Sequence, residues 1–122
     1  IWGTGKPRRE FLHADDLVDA CIYLMNIADN RLSLKDSPLF NIGTGIDLTI
    51  NQLARLIGGT IGFKGKIIND FSKPDGTPQK LLDTTKLKNL GWQPEISLSH
   101  GIQQIYKWYK DVKVKNPDPI LR

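Results

Sequence analysis

Apolar side chains recur at the spacing of one helical face in three stretches of the chain. The apolar positions are Leu17, Val18, Cys21, Leu24, Met25 and Ala28, then Leu53, Leu56, Ile57 and Ile61, then Leu98, Ile102, Ile105, Tyr106 and Tyr109. Residues of a type that caps helix starts precede each stretch: Asp15 or Asp16, Thr49, and Ser97. We therefore predict three helices whose apolar residues share one face, and we expect that face to be buried in the first of them.

Short apolar runs between these helices predict β-strands. They occupy residues 11–13, 39–42 and 66–69. A fourth, short helix is predicted to begin at Thr84 or Thr85 and to end at Gly91, a residue type that commonly stops helices. Because strands alternate with helices, the expected fold class is α/β.

Composition narrows the partners only slightly. The 122 residues carry a formal net charge of +4, which favours anionic partners without specifying nucleic acid. Cys21 is the only cysteine, so no intrachain disulfide can form, and we expect a reducing, cytoplasmic setting. No apolar run approaches the roughly 20 residues of a membrane span, so no membrane partner is expected. The chain begins with Ile-Trp-Gly rather than Met, and we expect it to be part of a longer protein.

The first ten residues read as a glycine-containing basic loop. The run Lys6-Pro7-Arg8-Arg9 follows soon after Trp2. A planar guanidinium binds a phosphate through two parallel hydrogen bonds, and a tryptophan face stacks on a base or a sugar. The same composition is typical of a solvated surface loop, and the residues alone leave both interpretations open.

A second charged loop covers residues 72–83. Pro74 and Pro78 stiffen it on both sides of the turn pair Asp75-Gly76. Lys73 and Lys80 offer cations to anionic oxygens, and Asp75 can accept hydrogen bonds from hydroxyl groups. The alternative is a rigid surface turn with no ligand.

Groups for catalysis or for cofactor binding are not evident in the sequence. The Gly-Thr-Gly turns at 3–5 and 43–45 lack the third small residue of a dinucleotide fingerprint. His13 and His100 are the only histidines, and their spacing to other donors does not suit a metal. We predict a binding role without catalytic, cofactor or metal residues in this chain.

Three stretches together resemble extended short-chain dehydrogenase/reductases that act on sugar nucleotides. They are residues 2–5 with 9–16, residues 40–45, and residues 72–83 with 90–92 and 96–98. The last stretch is similar to the GDP-L-fucose synthase family. Those enzymes convert GDP-4-dehydro-6-deoxy-D-mannose to GDP-L-fucose by epimerising two carbons and reducing the 4-keto group with NADPH.

The resemblance implies an architecture. Residues 1–115 would be the C-terminal, substrate-binding portion of such an enzyme, followed by a flexible tail at 116–122. The first helix and the strand at 39–42 would complete a Rossmann domain outside this chain. We therefore expect the isolated chain to expose apolar surface, including part of the first helix, and to be marginally stable or to associate.

The resemblance also implies a site. Trp2 and Arg9 match positions that contact the GDP-sugar, with Arg9 at the phosphates, Asp75 matches another substrate contact, and Lys80 would assist at the diphosphate. NADP would bind to the N-terminal domain outside this chain, and the full-length enzyme would be a homodimer without nucleic-acid or membrane partners. The alternatives are the same region of another nucleotide-sugar epimerase or dehydratase, or a basic nucleic-acid-binding module.

Overall fold

The computed structural model describes residues 1–27 and 39–115. In these ranges the elements are, in chain order, β1 (Arg8–Glu10), α1 (Ala14–Asn26), β2 (Asp47–Thr49), α2 (Ile50–Ile61), β3 (Gln79–Lys80), α3 (Thr85–Leu90) and α4 (Leu98–Lys115). Strands and helices intermix along the chain, which confirms the predicted α/β class.

A small mixed sheet has the order β2-β1-β3. β1 lies in the centre, antiparallel to β2 and parallel to β3. The sequence prediction was wrong here, because it treated residues 1–10 as a loop and placed a strand at 11–13. The strand instead forms at Arg8–Glu10, where both neighbouring strands supply backbone partners.

The helix ends show how local chemistry sets the boundaries. Thr49 caps α2 through a reciprocal capping box with Gln52, and Ser97 accepts a hydrogen bond from the His100 N–H at 3.3 Å, as predicted. Gly91 ends α3 at a φ of 107°, which glycine adopts without a steric cost. The predicted Asp caps of α1 are wrong: His13 caps it, and both aspartates lie in the first turn.

The core joins α1 to α3 and to the segment that follows it. Ala20, Leu87 and Trp92 are buried together. The Trp92 indole N–H donates to the Asp19 carboxylate at 2.8 Å. Asp16, only 5% exposed, accepts hydrogen bonds from the Glu95 and Ile96 N–H groups, both at 3.1 Å. A buried carboxylate thus fixes the chain before α4.

The predicted buried face of α1 is instead largely exposed. Met25 is 84% exposed, Leu17 and Val18 are also exposed, and Cys21 is not in the core. Leu24 alone of the described positions of this face packs against the core. The described residues therefore leave this apolar face largely uncovered, as expected if α1 packs against a further domain.

Besides the strand at 11–13, two further predicted strands do not form. Residues 39–42 and 66–69 have no regular structure, because no strand among the described residues pairs with them. Ala28, the predicted loop at 29–37 and the predicted flexible tail at 116–122 lie outside the described residues. None of the described helices is both long and apolar enough to cross a membrane.

Candidate anion-binding face

Arg8 and Arg9 are consecutive on β1 and therefore project to opposite faces of the sheet. On one face, Arg8 Nε donates to Asp47 Oδ1 at 2.8 Å, and Arg8 Nη2 lies 2.6 Å from the same oxygen. Gln79 Nε2 donates to Asp47 Oδ2 at 2.6 Å. This face is closed by a polar network that joins all three strands.

Asp47 is the centre of that network. Its side chain is only 7% exposed. Hydrogen bonds from Arg8 and then from Gln79 lower the pKa of the Asp47 carboxyl, while the same contact raises the pKa of Arg8. Arg8 is thus neutralised within the chain and is a poor candidate for a ligand contact.

Arg9 has a different environment. Its Nη1 atom donates to the Arg8 carbonyl at 2.6 Å and to the Thr77 carbonyl at 2.8 Å. Within residues 1–27 and 39–115 no carboxylate forms an ion pair with Arg9, and its Nε and Nη2 atoms donate no hydrogen bond. The guanidinium is held by one nitrogen, and its other edge remains available for an anion.

Lys80 lies beside Arg9. The two residues are register partners on the parallel strands β1 and β3, so their side chains share a face. Lys80 is exposed and, in the described part of the chain, makes no ion pair. Like charges next to each other across strands oppose folding, so an anion between them would relieve a local repulsion.

Asp75 closes the charged loop onto the first residues of the chain. Its Oδ1 atom accepts from the Thr4 N–H at 2.8 Å, and Oδ2 accepts from the Thr4 hydroxyl at 2.6 Å. These bonds, the hydroxyl first, lower the pKa of the Asp75 carboxyl. The hydroxyl acceptor role that the sequence predicted is thus filled by a residue of the chain itself.

Trp2 is 75% exposed, and its backbone pairs with Asp70 in an isolated parallel bridge. The Gly3 N–H donates to the Asp70 carbonyl at 2.9 Å. Gly3 has a φ of 66°, and a Cβ at this position would collide with the Asp75 carboxylate. A glycine is therefore required where the loop meets the turn that carries Trp2.

The two segments singled out in the sequence meet in space. Lys80 is beside Arg9, Gly76 next to Asp75 lies near Arg9 Nη2, and Asp75 is bonded to the turn after Trp2. The indole of Trp2 is linked to the others only through its backbone neighbours.

The described residues also form grooves on the surface. A groove of about 390 Å³ runs past Phe11, Asp47 and Ser97, and another of about 560 Å³ lies between His13 and Trp108. Neither is lined by Arg9 or Lys80.

Sequence reasoning missed the two carboxylates that organise the sheet. Besides Asp47, Glu10 accepts from the Gly45 N–H at 2.6 Å and from the Leu82 N–H at 3.0 Å, so it joins three separate segments. The sequence signal that could have pointed to Glu10 is its position directly after the basic run. Its partners could not be identified, because they lie far along the chain.

Comparisons with known proteins relate the chain to one class of enzymes. Residues 1–43 match the NAD dependent epimerase/dehydratase family. A solved structure of MlghC, a GDP-mannoheptose C4 reductase from Campylobacter jejuni with NADP bound, is 43% identical, with a TM-score of 0.77 over 90% of this chain and 34% of that chain. Sequence and fold therefore relate the chain to NAD(P)-dependent epimerases and reductases of the short-chain dehydrogenase type, as predicted.

Within that class the chain is similar to GDP-L-fucose synthases. It is 50% identical over 109 residues to putative GDP-L-fucose synthase 2 of Arabidopsis thaliana, covering 89% of this chain and 31% of that protein. It is 47% identical over 112 residues to GDP-L-fucose synthase of Escherichia coli strain K12, covering 89% and 35%. The predicted resemblance is confirmed, and the chain spans about a third of the length of these relatives.

Proposed function

We propose that residues 1–115 are the substrate-binding portion of a GDP-L-fucose synthase and that Arg9 and Lys80 bind the diphosphate of its GDP-sugar. The observation that carries the proposal is the register of these two cations on one sheet face, where no described carboxylate neutralises them. A diphosphate supplies the paired anionic oxygens that suit the open guanidinium edge and the neighbouring ammonium group.

The other predicted residues complete the site. Trp2 presents an exposed aromatic face to a base or sugar, and Asp75 adds a carboxylate oriented by Thr4. Each carboxylate oxygen has a second lone pair, so Asp75 can still accept a substrate hydroxyl. Binding energy from the unreactive GDP end would hold the sugar in place during epimerisation and reduction.

The chemistry itself belongs to the longer enzyme. NADPH would supply the hydride for reduction of the 4-keto group. Parts of the protein outside this chain would bind this cofactor and would carry the catalytic residues. We further propose a cytoplasmic homodimer that acts on GDP-4-dehydro-6-deoxy-D-mannose, with no role in nucleic-acid binding.

The exposed apolar face of α1 supports a position against a further domain. We expect residues 1–122, produced alone, to associate or to unfold without a sharp transition, because Leu17, Val18 and Met25 remain in water. Ultracentrifugation and thermal denaturation test this. A sharp, reversible unfolding transition of a monomer would contradict it.

A substrate panel on the full-length protein tests the function. We expect NADPH oxidation with GDP-4-dehydro-6-deoxy-D-mannose and weaker activity with other GDP-sugars. A different preferred 4-keto GDP-sugar would favour the second candidate, another nucleotide-sugar reductase, which the similarity to the GDP-mannoheptose C4 reductase supports. Steeply salt-dependent binding of oligonucleotides, without GDP binding, would instead indicate a nucleic-acid module.

A further inference from the structure

The charged loop contacts the start of the chain at several points, and two of them lie only two residues apart. At the first, Thr4 donates both its N–H and its hydroxyl to Asp75. At the second, the Thr77 carbonyl accepts from Arg9 Nη1 at 2.8 Å. Asp75-Gly76-Thr77 is therefore a short bridge between Thr4 and the guanidinium proposed to bind phosphate.

We propose that Thr4 is a positioning residue for Arg9 and acts through this bridge. The inference rests on the proposed function and deepens it, because it assigns the orientation of the anion-binding guanidinium to a threonine that does not itself contact the anion. The Arg8 N–H donates to the Pro78 carbonyl at 2.7 Å and restrains the loop on one side of Thr77. By holding Asp75, Thr4 restrains it on the other side, so the Thr77 carbonyl that binds Arg9 is fixed from both sides.

The direction of the Thr4 hydroxyl is set by two contacts. Its oxygen accepts from the Lys6 N–H at 3.2 Å, and its proton is donated to Asp75 Oδ2. A serine can make both bonds, whereas a valine of similar shape can make neither. Serine and valine at residue 4 therefore separate the effect of the hydroxyl group from the effect of side-chain shape.

Small residues allow the bridge to lie this close. A Cβ at Gly3 would collide with the Asp75 carboxylate, and a Cβ at Gly76 would lie 3.2 Å from Arg9 Nη2. Because the Gly3 backbone lies this close to Asp75 and the Gly76 backbone this close to Arg9, the loop has little freedom to move away. A guanidinium with one nitrogen held between two carbonyls keeps its free edge in one orientation, so less entropy is lost when an anion binds.

The test is a double-mutant cycle on the full-length protein with GDP as the probe, measured by titration calorimetry. We expect Thr4→Val to weaken GDP binding about tenfold, which corresponds to roughly 1.4 kcal/mol. Thr4→Ser should retain the wild-type affinity. In an Arg9→Ala background, Thr4→Val should have almost no further effect, because the group that it positions is gone.

Thr60→Val is the matched control. The Thr60 hydroxyl donates to the Leu56 carbonyl within α2, away from the charged loop, so its loss should leave GDP binding unchanged. If Thr4→Val does not fold, as judged by its melting transition, Thr4→Ala takes its place in the cycle.

Two results would overturn the inference while leaving the proposed function intact. One is an unchanged GDP affinity in the Thr4 variants although Arg9→Ala weakens binding. The other is an equal Thr4 effect with and without Arg9, which would mean that Thr4 acts by another route. If Arg9→Ala itself leaves GDP binding unchanged, the proposed function fails and this inference fails with it.

Discussion

The two faces of β1 carry the same residue type in opposite situations. Arg8 is paired with Asp47, whose second oxygen accepts from Gln79, so the charges of this arginine and this aspartate balance each other. Among the described residues, Arg9 has backbone carbonyls as its hydrogen-bond partners, and it lies beside a second cation, Lys80. Adjacent arginines thus divide into one that stabilises the sheet and one that is available to a ligand.

The difference arises from neighbours, not from the arginines themselves. Strand geometry sends consecutive side chains to opposite faces, and residues 39 and 68 positions further along supply the contacts. A carboxylate is the partner on one side and a carbonyl is the partner on the other. The composition of Lys6-Pro7-Arg8-Arg9 therefore identified a basic segment, and only the family resemblance singled out Arg9 within it.

Replacing each of the two arginines by alanine, one at a time, should give the largest difference in GDP affinity. In the full-length protein we expect Arg9→Ala to weaken GDP binding by about 10- to 100-fold, since each hydrogen bond to a charged group contributes roughly 1.5–3 kcal/mol. Arg8→Ala should lower the melting temperature but change GDP affinity little after correction for folded protein. Arg55→Ala, on α2, is a control. Equal losses of affinity in both β1 variants would remove the distinction between the faces.

Lys80 should have a smaller effect on the same face. It contributes an exposed point charge, so Lys80→Ala should reduce GDP affinity about three- to fivefold. The wild-type affinity should fall with rising salt, and the variant should show a shallower dependence. Lys107→Ala on α4 should match wild type at each salt concentration. A Lys80 variant with the full wild-type salt dependence would show that this cation does not face the anion.

The closed face should respond to acid instead. The pKa of Asp47 is lower in the folded protein, so its stabilising contribution is complete above the ordinary carboxyl value of about 4 and is lost as pH falls through the lowered value. Asp47→Asn should therefore reduce stability at pH 7 and lose less of it on acidification. The test is to measure denaturant midpoints as the pH is lowered from 7 through the carboxyl range, with Asp111→Asn as a control. Parallel acid loss in wild type and variant would contradict the assignment.

Local signals in the sequence predicted the helices well. The capping residues Thr49 and Ser97 and the stop at Gly91 act through hydrogen bonds or backbone preferences within a few residues, so one sequence window contains all the relevant information. The apolar spacing of α1 correctly predicted a helix, but the face that it predicted to be buried is largely exposed. Periodicity shows which residues share a face and does not show whether anything covers it.

Strands and site geometry depend on distant residues and were predicted less well. Arg8–Glu10 has no apolar alternation, yet it is the central strand because Asp47–Thr49 and Gln79–Lys80 pair with it. The apolar runs at 39–42 and 66–69 had the right composition but no described strand to pair with. The sequence and its family resemblance indicated the residues of the candidate site, but not the contacts of Asp47 and Thr4, whose partners lie far along the chain.

The parallel pairing of β1 with β3 has a consequence for synthesis on the ribosome. Arg9 and Thr77 are 68 positions apart, so translation must proceed far beyond β1 before its second edge can be covered. Until then β1 presents unpaired backbone groups to other nascent chains, a known route to aggregation. A chaperone that shields this edge during translation would be expected to raise the yield of folded protein.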